Sequence, residues 1–353
     1  MRAQMSDAPT QSAPSASDPG SAGVGSGGPL GSPEAPIPTS TATSGKTVVR
    51  PGDRIFTGVT TGSAVFISVL IGAIGLFLVW RAVPALARDE VNFLTSRSWV
   101  TTDINHLAFG VLDLLQVTVL VSLFALVLAM PIALGIAIFL TEYAPPKVAR
   151  PLAYAIDLLA AVPSIVYGLW GLLIFAPAIR PLAMWLNEHL SWIPLFATGS
   201  GSIQGGGTIF TAGIVLAVMI LPIITAVTRE VFSQTPVAHV EAALALGATK
   251  WEVVKTTVLP FGKSGFISGS MLGLGRALGE TMALYMILRT TAKAATWSLF
   301  DGGSTIASKI ALGYAEFNND IQAGAYIAAG LVLFVLTFVV NAAARAAVAG
   351  KKD

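Results

Sequence analysis

The sequence contains no cysteine, which excludes disulfide bonds, cysteine-ligated zinc and thiol chemistry. Its three histidines, His106, His189 and His239, lie far apart without the spacing of metal ligands, so we expect no metal site. Charged residues are also scarce, at 11% against about 25% in soluble domains. Hydrophobic residues make up 54% of the chain, and the mean hydropathy is +0.73. These proportions indicate an integral membrane protein, and a formal charge of +2 gives no reason to expect nucleic acid as a partner.

A complete phosphate-binding loop is missing as well. Residues 44–47 read Ser-Gly-Lys-Thr, like the end of the motif GxxxxGK[ST], but Ser40 stands where the first glycine would be. These residues lie in a segment, residues 1–50, that consists mainly of Ala, Ser, Pro, Gly and Thr. Such a segment buries too little apolar surface to offset its chain entropy, so we predict a disordered tail. We also expect that the chain itself binds no nucleotide.

Six apolar runs follow the tail, and each is at least about as long as the roughly 20 residues that cross a hydrocarbon core. We therefore predict an all-α integral membrane protein with six transmembrane helices in one domain, residues 55–345, before a short basic tail, residues 346–353. Prolines inside three of the runs favour a bundle, because neighbouring helices must satisfy the backbone carbonyls that a proline frees. The predicted spans are residues 61–80, 111–140, 151–176, 208–228, 265–288 and 323–344.

Lysine and arginine are distributed unequally between the two sides of these spans. With both termini in the cytoplasm, most of the 21 basic residues lie on the cytoplasmic side, as the positive-inside rule requires. This orientation makes residues 229–263 the longest cytoplasmic loop and places the tail of residues 1–50 in the cytoplasm. We therefore predict a multi-pass protein with both termini cytoplasmic.

The loop of residues 229–263 contains a short helix-forming segment that starts with Glu241. Gly247 is a plausible end for this helix, because glycine commonly follows a helix C-terminus. Ala242 and Ala243 give the helix a face with little side-chain bulk, which lets another protein approach its backbone closely. Two interpretations remain open from these residues alone: a docking element for a partner, or an amphipathic connector that lies on the membrane surface.

The predicted fifth span, residues 265–288, carries Arg276 and Glu280 near its middle. Placing an ionisable residue at this depth costs free energy, so by default we expect such a residue to serve a function. Their i, i+4 spacing places both on one helix face, about one turn apart. A guanidinium flanked by glycines fits a phosphate oxyanion, so Arg276 and Glu280 are candidates for a substrate pathway. The alternative is an internal ion pair that neutralises itself within the bundle.

The spacing of the loop residues resembles the EAA loop of ATP-binding-cassette (ABC) importer permeases. Six positions match: Glu241, Ala242, Ala243, Gly247, Leu259 and Pro260. One position departs from the pattern, because Thr257 stands where an isoleucine or similar apolar residue is usual. We expect the neighbouring Val258 to take over the packing role. The resemblance implies that this loop couples the membrane helices to an ATPase subunit.

Three further segments resemble the permeases of phosphate-specific (Pst) importers: residues 160–171, 259–284 and 305–317. The motif Gly-Glu-Thr is followed here by Met282 and Ala283, as in the C-type subunit rather than the A-type subunit. The family implies an A-type permease partner, two ATP-binding cassette ATPases and an extracytoplasmic phosphate-binding protein in a bacterial plasma membrane. It also implies that this chain is not an enzyme and binds no cofactor, since ATP and magnesium belong to the ATPases.

The resemblance predicts a permease subunit that moves inorganic phosphate into the cytoplasm by alternating access. In this interpretation Arg276 and Glu280 line the substrate pathway. The alternatives are a permease for another oxyanion, an ion-coupled secondary transporter and a membrane scaffold that transports nothing. A secondary transporter would have no use for an EAA loop, and a scaffold gives no reason to keep Arg276 within the membrane.

Overall fold

A computed structural model describes residues 51–101, 106–291, 293–314 and 319–349. The predicted tail of residues 1–50 and the last four residues of the basic C-terminal tail lie outside them. Within the described residues the chain forms twelve α-helices and one short antiparallel β-hairpin. Their bounds are α1 (Pro51–Leu86), β1 (Trp99–Val100), β2 (Ala108–Phe109), α2 (Leu112–Ile138), α3 (Pro146–Ala160), α4 (Ser164–Trp170), α5 (Ala176–Leu190), α6 (Ile209–Ser233), α7 (Val237–Ala245), α8 (Lys250–Val253), α9 (Leu259–Leu278), α10 (Met282–Ile287), α11 (Ile306–Gly313) and α12 (Asp320–Ala349).

Five helical segments of the described residues are long and apolar enough to cross a membrane. A five-residue π-helical turn extends α2 to Tyr143, and another joins α4 to α5, so each forms one continuous helical segment. The predicted all-α membrane fold is confirmed. Helix α9 lies in the predicted fifth span, and its 20 residues extend about 30 Å, but it is not among these five. The five segments are Gly52–Leu86, Leu112–Tyr143, Ser164–Leu190, Ile209–Ser233 and Asp320–Ala346.

The third span lies further along the chain than the predicted residues 151–176. Helix α3 ends at Ala160, and a new helix begins at Ser164 after a break at Pro163. Proline donates no backbone hydrogen bond and disfavours helical geometry in the residue before it, so the chain turns here. Helix α3 instead packs against α6, where Arg229 forms an ion pair with Asp157 at 3.4 Å.

The core of the bundle forms where α6 packs against α2 and α9. Small residues allow this close approach: a Cβ at Gly273 of α9 would lie 2.8 Å from Cγ1 of Ile224. Phe124 of α2 and Phe210 of α6 stack with their ring centroids 5.9 Å apart. Many large apolar side chains on the outer surface are exposed in the isolated chain, as expected for a surface that meets lipid.

The two ends of the bundle differ in structure. The short helices α7 and α8 lie at the end where α6 finishes and α9 begins. At the other end, two long loops are held together by the carboxylate of Asp301, which is completely buried. Asp301 accepts hydrogen bonds from the backbone N–H groups of Ser200, Thr296 and Ser298 at 2.7, 2.6 and 3.1 Å. We call this end of the bundle, where Asp301 joins the loop between α5 and α6 to the loop between α10 and α11, the anchored end.

Candidate functional site

The predicted fifth span, residues 265–288, is interrupted near its end. Helix α9 stops at Leu278, and α10 starts at Met282. Between them, Oε1 of Glu280 accepts a hydrogen bond from the backbone N–H of Ala283 at 3.1 Å. Glu280 thus satisfies one of the N–H groups that the first turn of a helix leaves free, and its negative charge suits a helix N-terminus. The side chain therefore stabilises a new helix start instead of a continuous helix.

This break separates Arg276 from Glu280. Arg276 lies exposed in the last turn of α9, whereas Glu280 lies beyond the helix end and is 7% exposed. The expectation that both share one helix face is wrong, because residues four apart stack only while the helix continues. In the part of the chain that the structure describes, neither side chain forms an ion pair. The charge of Arg276 is thus not neutralised by these residues.

Helix α4 brings a second segment to the same break. Gly168 of α4 lies so close to α10 that an added Cβ would be 2.9 Å from Cα of Ala283. Its neighbour Tyr167 lies within electrostatic reach of Arg276. Two of the segments that carry the family resemblance, far apart in sequence, therefore meet beside Arg276.

At the opposite end of α9, Gly247 ends α7 as predicted. Its φ is +84°, a conformation that residues with a Cβ rarely adopt. The N–H of Gly247 donates to the carbonyl of Leu244 at 2.9 Å, and that of Ala248 donates to Ala243 at 3.1 Å. These two bonds form a Schellman motif, which satisfies the last carbonyls of a helix. Gly247 is required here for backbone conformation, since a Cβ would meet nothing within 4 Å.

Helix α7 and the turn after it expose small and apolar side chains. Glu241 and Ala242 are exposed and Ala243 is half-buried. Beyond the helix, Leu246 is 90% exposed and Trp251 is 56% exposed. Large apolar side chains on a polar loop away from the predicted spans are typical of a protein-binding surface. We call this surface, Glu241 to Trp251, the coupling face.

The coupling face is tied to the bundle through Val258. Val258 is completely buried and packs with Phe232 of α6 and Ala137 of α2, whereas Thr257 is only half-buried. The expectation that Val258 supplies the packing in place of Thr257 is confirmed. Gly262, in the first turn of α9, leaves room for the ring of Phe232. Packed side chains therefore connect the segment after the coupling face to α6 and α9.

Two further residues of the motif begin α9. Leu259 is its first residue and Pro260 follows within the first turn, where the missing N–H of a proline is tolerated. Just before them, α8 starts with a capping box: the hydroxyl of Thr249 accepts from the N–H of Glu252, and Glu252 accepts from the N–H of Thr249 at 2.7 Å. This backbone hydrogen bond, with a second from the Thr249 hydroxyl, lowers the pKa of Glu252 below its ordinary value.

Residues 129–352 match the family of binding-protein-dependent transport system inner membrane components. The chain belongs to this family. The match includes the coupling face, α9, Arg276 and Glu280, so the family's region covers the whole candidate site. Membership favours a component of a binding-protein-dependent transporter over an ion-coupled secondary transporter or a scaffold. The individual roles of the site residues stay predictions.

Close relatives within the family cover nearly the whole chain. The phosphate transport system permease protein PstC 2 of Mycobacterium bovis is 58% identical over 304 residues, 86% of this chain and 93% of that protein. PstC of Mycobacterium leprae is 56% identical over 315 residues, 89% of this chain and 99% of that protein. These relatives confirm the resemblance to C-type permeases. An inward-facing MetNI methionine ABC transporter structure has a TM-score of 0.45 and 18% identity, over 68% of this chain and 94% of that chain.

Proposed function

We propose that this chain is the C-type membrane subunit of an ATP-driven importer that moves inorganic phosphate into the cytoplasm. The observation that carries the substrate assignment is its identity of 56–58% with phosphate transport system permeases over almost their full length. The geometry supports a driving element, because the exposed coupling face leads through Val258 into α9, the helix that carries Arg276. The chain itself then catalyses no reaction, and the partner ATPases bind ATP and magnesium.

The proposed assembly contains this chain, a related A-type permease, two ATPase subunits and an extracytoplasmic phosphate-binding protein. The coupling face lies in the cytoplasm against one ATPase, and both termini are cytoplasmic. The anchored end then faces outward, toward the binding protein. The excess of Lys and Arg on the proposed cytoplasmic side supports this orientation.

In the proposed cycle, ATP-driven closure of the ATPases displaces the coupling face. The packed contact between Val258 and Phe232 passes this displacement to α6 and α9. The break between Leu278 and Met282 lets α9 move relative to α10, because no helical hydrogen-bond ladder connects them rigidly. Arg276, just before the break, changes its access from one side of the membrane to the other, as alternating access requires.

The test is transport by the assembled complex in sealed vesicles. The complex is reconstituted with its binding protein, and ATP hydrolysis and uptake are measured with phosphate, arsenate, sulfate and molybdate. We expect phosphate to stimulate hydrolysis and to be taken up with the highest specificity constant. Preferential uptake of another oxyanion would contradict the substrate assignment while keeping the importer. Uptake that depends on an ion gradient and not on ATP would contradict the assignment as an ATP-driven importer.

A further inference from the structure

A pocket of about 460 Å³ lies next to α7, the helix of the coupling face. Its walls come from α3, α6, α7 and the end of the helical segment that α2 begins. Sites for small molecules typically have about 300–1,000 Å³. Two of the five membrane-crossing segments end in this wall, one at Tyr143 directly after the lining residue Glu142, and one at the lining residue Ser233. The pocket therefore lies where the bundle leaves the hydrocarbon, at the end that carries the coupling face.

The wall of this pocket carries charges of both signs. Arg150 and Arg229 supply two guanidinium groups, and Glu142 supplies one carboxylate. Within the described residues, neither Arg150 nor Glu142 forms an ion pair. Outside the lining, Asp157 pairs with Arg229 at 3.4 Å, and Lys250 lies within electrostatic reach of Glu142. A simple anion would face a like charge at Glu142, and a simple cation would face the two guanidinium groups, so the wall suits a ligand that carries both charges.

Two polar atoms of the wall are buried and have no hydrogen-bond partner among the described residues. They are Nη1 of Arg229 and Oγ1 of Thr235, and both residues line the pocket. Buried polar atoms are almost always paired, because an unpaired one has lost its contact with water. The guanidinium and the hydroxyl can both donate to a phosphate oxygen. The wall thus offers donors to a ligand that carries a phosphate group.

Apolar side chains form much of the remaining wall. Leu140, Phe232 and Val240 line it together with two alanines of α3. Helix α3 also exposes large apolar side chains, among them Tyr154 and Leu158, one turn apart. A helix with both charged residues and such an apolar stripe is typical of a membrane surface. A molecule with a charged head and apolar chains therefore suits this pocket and the surface beside it.

We propose that this pocket binds the headgroup of a phospholipid that carries an amine, such as phosphatidylethanolamine. The lipid phosphate binds the guanidinium groups of Arg150 and Arg229, and the ammonium binds the carboxylate of Glu142. Basic pockets between membrane helices at the cytoplasmic side are suited to lipid headgroups. A free phosphate ion shares the phosphate chemistry, but it leaves the apolar wall uncovered and places a like charge beside Glu142.

The site also has a place in the coupling path. Val237 and Val240 of α7 line the pocket, so a bound headgroup contacts the helix that carries the coupling face. Phe232, which packs against Val258, lines it as well. The inference concerns the bilayer around the subunit and does not depend on which substrate the complex transports.

The first test blocks the pocket without changing its charges. Ala153 of α3 lines the pocket, so Ala153→Trp fills it. Ala155→Trp, exposed on the same helix and outside the lining, is the matched control. The assembled complex is purified in detergent and depleted of lipid. Native mass spectrometry then counts the bound molecules of phosphatidylethanolamine and of phosphatidylglycerol with the same acyl chains. We expect Ala153→Trp to bind one phosphatidylethanolamine fewer per copy of this chain than the wild type and the control.

Charge substitutions test the two halves of the headgroup separately. Arg150→Gln should weaken binding of phosphatidylethanolamine about tenfold or more. Lys147→Gln, exposed at the same end and outside the lining, should bind like the wild type. Glu142→Gln should lose the preference for phosphatidylethanolamine over phosphatidylglycerol, because the amine loses its carboxylate. The charge variants also keep the inference testable if Ala153→Trp does not assemble.

Equal binding of phosphatidylethanolamine by the wild type, Ala153→Trp and Arg150→Gln would overturn the inference. A wild type that prefers phosphatidylglycerol would overturn the assignment to an amine-bearing headgroup. Displacement of the lipid by orthophosphate would assign the pocket to the free ion. Loss of the ATPase from Ala153→Trp with unchanged lipid binding would assign it to a protein contact. Transport of sulfate in place of phosphate would contradict the proposed function and leave this inference standing.

Discussion

The ring of Phe232 in α6 occupies the space that a side chain at Gly262 in α9 would need. The same ring packs against Val258, which leads from the coupling face into α9. Phe232 is 1% exposed, so these contacts are desolvated and close-packed. Phe232 thus packs α6 against α9 and against Val258, in the segment that follows the coupling face.

Gly262→Ala should therefore weaken the packing between α6 and α9. The added methyl overlaps the Phe232 ring, and overpacking of a dense core costs about 1–3 kcal/mol. We expect a lower melting temperature of the purified complex and fewer phosphate ions moved per ATP hydrolysed. Gly135→Ala in α2 is the control, since nothing lies within 4 Å of a Cβ at that position. A Gly262→Ala complex as stable and as tightly coupled as the control would contradict the role of this contact.

Two substitutions at Gly247 separate backbone conformation from docking. Asparagine tolerates the left-handed conformation that Gly247 adopts at φ +84°, so Gly247→Asn should keep the ATPase bound. Gly247→Trp adds bulk as well as strain and should release the ATPase while the permease still inserts in the membrane. Copurification of the ATPase is the measurement, and Gln234→Trp, exposed in the same loop, controls for bulk. Retained ATPase and normal uptake in Gly247→Trp would show that the partner does not dock there.

The capping box at α8 predicts a dependence on acidic pH. Hydrogen bonds from Thr249 lower the pKa of Glu252 below its ordinary value of 4.5, so the folded loop favours the ionised carboxylate. The stabilisation is fully present above pH 4.5 and is lost as the pH falls through the lower pKa of the folded state. Hydrogen exchange at the amides of α8, corrected for intrinsic rates, should be constant from pH 5 to 8 and faster in more acidic buffer. Glu252→Gln should abolish that dependence, and a dependence that survives in the variant would assign it to another group.

Asp301 should matter for stability much more than an exposed aspartate does. Asp301→Asn places an amide N–H₂ among backbone donors that now share one carbonyl oxygen, at a cost of about 2 kcal/mol. Asp320→Asn is the control, because Asp320 is 86% exposed and its ion pair with Arg81 lies on the surface, where such pairs contribute about 0–1 kcal/mol. Thermal unfolding of the purified complex measures both. Equal melting temperatures for the two variants would contradict the anchoring role of Asp301.

Features set by local residues were predictable from the sequence. Gly247 ends α7 because glycine adopts its backbone conformation without strain, and Val258 takes the packing position because it is the apolar residue beside Thr257. Both depend on a few neighbouring positions. The membrane class was equally predictable, since it follows from composition.

Features set by distant residues were not. Hydropathy predicts one continuous apolar span over residues 265–288. It carries no information about the hydrogen bond from the N–H of Ala283 to Glu280, which accompanies the interruption of the helix. Pro163 lies inside the third predicted span, where a proline is compatible with a kink as well as with a helix end, and the structure shows the helix end together with packing of α3 against α6. Asp301 gave no signal, because its partner Ser200 lies 101 residues away.

In the proposed mechanism, transport depends most directly on Arg276. It forms no ion pair with the described residues, so its replacement breaks no ion pair within that part of the chain. From the start of α9 at Leu259, it lies about 26 Å along the helix, next to the break before Glu280. A guanidinium at this place is suited to bind a phosphate oxyanion with two parallel hydrogen bonds.

The decisive measurement is radiolabelled phosphate uptake by Arg276→Gln, with the amount of assembled complex quantified in the same membranes. We predict that uptake is lost while the complex is present at wild-type levels. Arg276→Lys should be partly active, because the charge remains and the paired hydrogen bonds do not. Arg180→Gln, an exposed arginine in α5, should transport normally. Normal uptake by Arg276→Gln would contradict a role for Arg276 in the phosphate path, and loss of the complex in parallel with uptake would assign it a structural role instead.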